Sequence, residues 1–252
     1  MNQRDASLLR IEHVSKAFDG IQALNDVSFS VGAGELVALI GPNGAGKTTC
    51  FNVINGQLEP DAGSVWLAGE RIDGLPPQRV ATAGVGRTFQ TAATFASMTA
   101  RENVQLALLA GTGEYGALAH RLATAHLPEA DALLARVGAG SLAEQVCASL
   151  PYADVKRVEL AIALACAPRL LLMDEPTAGT APRNRGSVME VVSTLVRDSG
   201  VATLFTEHDV DVVFGFAARV IVLDRGRIIA DGPPASVRAD PRVQAVYLGT
   251  EA

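Results

Sequence analysis

Residues 41–49 run Gly41, Pro42, Asn43, Gly44, Ala45, Gly46, Lys47, Thr48, Thr49, a complete G-x-x-x-x-G-K-[ST] pattern. It follows the apolar run Glu35–Ile40 and opens a segment of helical character from Lys47 to about Ile54. Glycines let successive backbone N–H groups curl inward around an anion with no Cβ in the way. The start of a helix adds its partial positive charge. Lys47 would then meet the β- and γ-phosphates, and the Thr48 hydroxyl would face Mg²⁺. In this strand-to-helix context the pattern points to a nucleoside triphosphate.

Two acids stand at a second such position. Leu170–Glu175 is an apolar run that delivers Asp174 and then Glu175 at its end, where open α/β sheets place their ligands. Asp174 is expected to hold Mg²⁺, directly or through water, and Glu175 to polarise a water attacking the γ-phosphate. Three further residues complete a set. Gln90 ends the stretch Arg87–Gln90 (RTFQ), His208 sits in Thr206–Asp209 (TEHD), and Phe18 lies near the N-terminus. Alone, His208 would read as a helix-start or surface histidine, and Phe18 as core or surface.

Buried strands and amphipathic helices must position these groups. Glu35–Ile40, Arg169–Met173, Val201–Phe205 and Arg219–Leu223 are apolar almost throughout, as strands covered on both faces are. Leu9–Glu12 and Val27–Val31 alternate instead, the period of half-buried strands. Val188, Val191, Val192, Leu195 and Val196 keep helical spacing, with Pro182 near the start and Gly200 just past the end. Strands and helices that alternate in this way imply an α/β fold with a mostly parallel sheet. From about Thr91 to Leu150 the chain is Ala-rich without strand pattern, which reads as a helical insertion with loops at Gly111–Gly116 and Gly138–Gly140.

Composition narrows the class. The 252 residues are 48% hydrophobic and 19% charged, with 21 Lys and Arg against 27 Asp and Glu, a net charge of −6. That excludes a disordered chain and argues against a nucleic-acid binder, which would carry a clustered basic excess. Cys50, Cys147 and Cys166 form no metal or disulfide pattern, so free thiols in a reducing compartment are expected. Met1–Arg10 has no apolar core of a signal peptide, and no run approaches the about 18 apolar residues of a membrane span.

With these residues in place, the chain resembles the ATP-binding subunits of ABC transporters over essentially its whole length. The order matches that family's: an aromatic (Phe18), Walker A (Gly41–Thr49), a Q-loop (Gln90), a signature helix, Walker B (Leu170–Asp174), Glu175 and a switch histidine (His208). The resemblance implies a P-loop NTPase of ABC ATPase type: a mostly parallel core sheet, N-terminal antiparallel strands and an inserted helical subdomain at about 91–160. Residues 1–252 would form a single ATPase domain, with a C-terminal tail from about 236 that reads as a capping helix. By the same resemblance ATP and Mg²⁺ are the cofactors, Phe18 stacks on adenine, Gln90 reaches Mg²⁺ and the attacking water, and His208 contacts the γ-phosphate. The wording of Arg87–Gln90, Met173–Gly179 (MDEPTAG), Thr206–Phe214 (TEHDVDVVF) and Val246–Gly249 (VYLG) is similar to the branched-chain amino acid importer subfamily.

The signature departs from the family. Related subunits carry LSGGQ or LSYGQ, whereas this chain has Leu150, Pro151, Tyr152, Ala153 and Asp154. Pro151 removes a hydroxyl and an N–H, Ala153 adds a Cβ where an amide should approach phosphate, and the D-loop position that is usually Asp is Ala181. In the family two subunits sandwich two ATPs, each site pairing one Walker A with the partner's signature. The resemblance therefore implies a second ABC ATPase subunit, a heterodimer being favoured over a homodimer. It also implies transmembrane permease subunits received in a groove beside Gln90, a periplasmic or extracellular solute-binding protein reached through them, a peripheral place on the cytoplasmic face of the membrane, and no nucleic acid. Two alternatives stay open: a poorly hydrolysing regulatory module, and an ABC-type ATPase without a membrane partner.

Overall fold

The computed structural model describes residues 7–89, 93–112 and 124–248. The chain opens with a long hairpin, β1 (Ser7–Phe18) and β2 (Ile21–Gly32), followed by β3 (Leu36–Ile40), α1 (Lys47–Ile54), β4 (Ala62–Leu67) and β5 (Glu70–Arg71). A short α2 (Pro77–Thr82) leads into β6 (Val85–Thr88). Three helices follow among the described residues up to Leu164: α3 (Ala100–Thr112), α4 (Leu127–Arg136) and α5 (Tyr152–Leu164). The chain then alternates through β7 (Leu170–Asp174), α6 (Pro182–Ser199), β8 (Ala202–Thr206), α7 (Val210–Phe216), β9 (Arg219–Asp224) and β10 (Arg227–Gly232). It closes with α8 (Pro234–Ala239) and further helical turns to Leu248.

Two sheets result. One is antiparallel, in the order β2-β1-β4-β5; the other runs β10-β9-β3-β8-β7-β6, parallel except for β10. The apolar runs read from the sequence are its four inner strands, and the reason is visible in the packing. Val37, Leu39, Leu170, Leu172, Leu204 and Ile221 join one hydrophobic core with the antiparallel sheet and α1. Their chain neighbours Ala38, Ile40, Leu171, Met173, Phe205 and Val220 join a second core under α5, α6 and α7. Side chains alternate across a strand, so a strand with a core on each face must be apolar at every position.

The structure extends several of the expected elements. The first strand runs to Phe18 rather than stopping near Glu12, because register shifts between Ile11 and Val14 and again beyond it break the alternation. The amphipathic helix spans Pro182–Ser199 and ends on Gly200 at φ 68°, a left-handed stop. Pro151 occupies the N-cap of α5 rather than its first turn. At the C-terminus Val237 and Val243 are buried in the second core, with Tyr247 packed beside them. Among the described residues no helix is long and apolar enough to cross a membrane. The cysteines are free, Cys50 and Cys147 buried and Cys166 exposed, and burial pushes the Cys50 thiol up to about 12.

Strand order fixes the edge on which the chemistry lies. β8 is inserted between β3 and β7, in register Ala38↔Phe205 on one side and Asp174↔Thr206 on the other. Three parallel neighbours therefore release their next residues at one edge: Gly41 after β3, Glu175 after β7 and Glu207 after β8. Adjacent strands lie about 4.8 Å apart, so the loops after β3 and β7 are about 10 Å from each other.

Two glycines of the 41–49 loop make a testable contrast. A Cβ on Gly41, at φ 151°, would lie 2.0 Å from the Leu223 carbonyl oxygen, whereas one on Gly44, at φ 78°, meets nothing within 4 Å. Gly44→Ala should cost only the left-handed conformation, about 1–2 kcal/mol, and lower the melting temperature by a few degrees. Gly41→Ala has to move backbone and should cost several times more. Equal melting curves for the two variants would contradict the close approach of β9 to this loop.

Candidate functional site

Asn43–Thr49, Asp174, Glu175 and His208 line one cleft, with Ala23 of β2 closing its side. The loop after β3 curls because Gly44 and Gly46 hold φ of 78° and 108°. Its helix α1 starts at Lys47 with no side-chain cap, leaving the first-turn N–H groups for an anion. Lys47 Nζ donates to the carbonyls of Gly41 (2.7 Å) and Pro42 (3.1 Å), folding the ammonium back over the loop. Burial holds its pKa below the usual lysine value, while Glu175 and Asp174 oppose that shift. The ammonium is thus held in reach of both acids.

The acids are braced by β8. Thr206 Oγ1 donates to Asp174 Oδ1 at 2.7 Å. The Glu175 N–H donates to both the carbonyl (3.1 Å) and the Oγ1 (3.2 Å) of the same threonine. Glu175 sits at φ 49°, a left-handed conformation that costs a non-glycine residue about 1–3 kcal/mol and persists only where the surroundings enforce it. Its Oε1 lies 2.9 Å from His208 Nε2. His208 is fixed in turn by its neighbours. The buried Glu207 carboxylate accepts from Thr177 N–H (2.8 Å), Thr177 Oγ1 (2.6 Å) and the His208 N–H (3.1 Å). Asp209 caps α7 and is paired with Arg185, and Tyr247 Oη of the tail donates to the Glu207 carbonyl at 3.1 Å.

The donors fit the group that the sequence implies. Thr48 offers a hydroxyl and Asp174 a carboxylate, and both residues line the cleft, hard oxygen ligands that suit Mg²⁺ completed by phosphates and water. Among the described residues no cluster of three His, Cys, Asp or Glu side chains could cage a metal without such help.

Not every expected residue lies in this cleft. Phe18 ends β1 on the hairpin whose Ala23 lines the cleft, and its ring is 42% exposed. Leu150–Asp154 lie outside the cleft, around the start of α5. The Tyr152 ring there packs on Gly179, where a Cβ would stand 2.6 Å from its Cε1, and Asp154 pairs with Arg157 at 3.3 Å. Gln90 falls outside the described residues. Both sides of its segment are nonetheless held by a buried pair on α5, Lys156 and Glu159, 3.0 Å apart. Glu159 Oε1 accepts from the N–H of Phe89 (2.8 Å) and of Ala93 (3.4 Å), and Lys156 donates to the Phe89 carbonyl. Thr206, Glu207, Arg87 and this Lys–Glu pair were missed by sequence reasoning. Their partners across the fold are 30 or more residues away, and no spacing rule links those contacts.

The site yields a sharp pair of substitutions. Glu175→Gln removes the base while leaving the phosphate cradle, so turnover should fall by about 10²–10⁴-fold with nucleotide affinity little changed. Lys47→Ala should weaken nucleotide binding itself. Phosphate release measured with each variant in its active dimer, together with equilibrium binding, separates the roles, and a Glu175→Gln chain that turns over there at the parent rate would remove Glu175 from the reaction.

Comparison with known proteins agrees with this geometry. Residues 24–178 match the ABC transporter family, and residues 227–252 match the family described as branched-chain amino acid ATP-binding cassette transporter. The chain is 35% identical to the high-affinity branched-chain amino acid transport ATP-binding protein LivG of Salmonella typhimurium, over 96% of this chain and 98% of that one. It is 34% identical to BraF of Pseudomonas aeruginosa, a protein of the same description, with the same coverage. An ATP-binding cassette of an ABC transporter solved in its ADP conformation superposes with a TM-score of 0.85 at 31% identity, covering 96% of this chain and 99% of that one. The chain belongs to the ABC transporter family, as an ATP-binding and ATP-hydrolysing subunit of a transporter.

Proposed function

We propose that this subunit powers an importer of branched-chain or related amino acids. The observation that carries the reading is likeness along the whole chain, the carboxy-terminal 227–252 segment included, to proteins described as branched-chain amino acid transport subunits. No side chain of the cleft would touch the solute. The amino acid is chosen by permease and binding-protein partners, and this chain sits against the permease on the cytoplasmic face of the membrane.

The cleft suggests a division of labour. The amides of Asn43–Thr49 and the Lys47 ammonium bind the phosphates of ATP, with Phe18 on the exposed hairpin stacking on adenine. Thr48 and Asp174, with Gln90 in support, would hold Mg²⁺, which would supply charge neutralisation at the transferred phosphoryl group when bound. Glu175 takes the proton from the attacking water at its carboxylate. His208, 2.9 Å from that carboxylate, orients it and reaches the γ-phosphate. The left-handed backbone at Glu175 and its two bonds to Thr206 keep the base from swinging out of line.

The signature supports pairing with a different ATPase subunit. A serine at the N-cap of α5 could accept a first-turn N–H; Pro151 cannot, and its own nitrogen carries no hydrogen. Ala153 puts a methyl in the first turn. Leu150–Asp154 would serve the partner's nucleotide, whereas the intact cleft of this chain would take an unaltered signature from that partner. Retained Glu175 and His208 argue against the poorly hydrolysing alternative, and likeness along the chain to transport ATP-binding proteins argues against an ATPase without a membrane partner.

Steady-state ATPase rate against concentration tests this pairing. The chain alone should stay near zero at every concentration and gain activity on titration with a related ATPase subunit that carries LSGGQ. A rate that rises steeply with its own concentration would establish a homodimer and overturn the heterodimer. For the solute, the complex reconstituted in liposomes with its permease should be stimulated by a leucine-loaded binding protein; stimulation only by loads of a different chemical class would redirect the assignment.

A further inference from the structure

Arg87 opens the stretch Arg87–Gln90, on edge strand β6, opposite Leu172 in the register of β7. Its side chain is only 8% exposed. A guanidinium keeps its proton in any protein environment, so burial there encloses a full charge. Burial presses its pKa down, and the Asp174 carboxylate opposes that shift. Nη1 donates to Asn52 Oδ1 at 2.7 Å and to Gln57 Oε1 at 3.1 Å, anchoring the group to α1 and the turn after it. The plane lies 5.8 Å from the Phe51 ring centre and 5.1 Å from that of Phe89. Nη2 stands 3.7 Å from Asp174 Oδ2, and the buried Nε finds no partner.

We propose that Arg87 is a positioning residue: a fixed cation, tied to the phosphate-loop helix, that sets the orientation of the Asp174 carboxylate toward the divalent ion. Asp174 Oδ1 is already taken by Thr206 at 2.7 Å. With Arg87 facing Oδ2, the carboxylate plane is gripped from both sides. Because Asn52 belongs to α1 and Phe89 directly follows β6, one side chain keys the angle of Asp174 to both. Lys47 also interacts with Asp174, but its ammonium is folded over the 41–49 loop, where the proposed function gives it the phosphates. The proposal rests on the reading of Asp174 as the acid that faces Mg²⁺.

The test is nucleotide binding by the purified full chain, with ATP titrated in EDTA and across a Mg²⁺ series, and melting curves run alongside. Arg87→Gln should bind ATP in EDTA within about threefold of the parent. The Mg²⁺ concentration that gives half-maximal tightening should rise about tenfold, the scale of one lost charge-assisted contact. Arg87→Lys should recover only part of that shift, since a point charge cannot hold Asn52, Gln57 and Asp174 together. Asn52→Ala, which loosens Arg87 without touching Asp174, should move the Mg²⁺ requirement the same way by a smaller factor, and it carries the test if Arg87→Gln does not fold. A lowered melting temperature with an unchanged Mg²⁺ requirement would reduce Arg87 to a structural residue and overturn the proposal. A lowered Mg²⁺ requirement would show only a competing charge and overturn it equally. Asp174→Asn separates the two levels: if it also keeps the parent requirement, the reading of Asp174 has failed, whereas a shift there without one in Arg87→Gln refutes Arg87 alone.

Discussion

The placement of β8 between β3 and β7 is the constraint on which the site depends. Parallel strands deliver their C-terminal ends to one edge, and the register Asp174↔Thr206 sets a hydroxyl beside the carboxylate that would face the metal. From that single threonine follow the orientation of Asp174, the hold on the Glu175 backbone and, one residue later, the run Glu207-His208-Asp209. Without this register the loop after β3 and the acids after β7 would still exist, but nothing would fix their mutual angle. Both faces of β8 are buried, with Leu204 in one core and Phe205 in the other. The packing of two hydrophobic layers is therefore what holds a polar edge to the tolerance that chemistry needs.

The polar groups behind that edge pass from a half-exposed histidine to buried carboxylates and a buried ion pair. His208 is half-exposed and meets Glu175; behind it Glu207 is 4% exposed and spends its carboxylate on Thr177 and the His208 backbone. Farther back, Lys156 and Glu159 are paired and satisfied by backbone on both sides of the Gln90 segment. Buried charge is tolerated when every remaining donor and acceptor is met, and Glu159, with Phe89, Ala93 and Lys156, comes close to that limit. Such a pair adds little net stability compared with an apolar substitute. What it contributes is a fixed distance between α5, whose start carries the altered signature, and the backbone next to Gln90.

The sequence made the local parts of this design legible and left the non-local parts hidden. The 41–49 loop could be read because phosphate binding by consecutive amides needs a fixed order of residues in one stretch. The inner strands could be read because two-sided burial forces continuous apolar runs, and α6 because Pro182 and Gly200 mark its ends. The β4–β5 hairpin was missed although Val65 and Leu67 alternate with Ser64 and Trp66, since the run is short and one face is only half covered. The bulged β1 concealed its own length. Thr206, Arg87 and the Lys156–Glu159 pair were illegible for a different reason: their meaning comes from partners supplied by strand order, and strand order is not written in any one segment.

Pro151 shows how a departure from a pattern can be structurally quiet and still functionally directed. At φ −55° and ψ 146° it fits the N-cap geometry without strain, so α5 begins where a serine would have started it. Tyr152 packs against Gly179, and Lys156 and Glu159 hold the backbone of Phe89 and Ala93, so the helix has both of its attachments to the nucleotide-binding layer. What has changed is confined to the outward surface at 151–154: a hydroxyl and an amide hydrogen are gone and a methyl is added. A substitution that spared the fold while weakening a site of the same chain would be purged from a self-sufficient enzyme. Under the proposed pairing with a different ATPase subunit, that surface would face the partner's nucleotide and the chain's own cleft would be completed by the partner's unaltered signature.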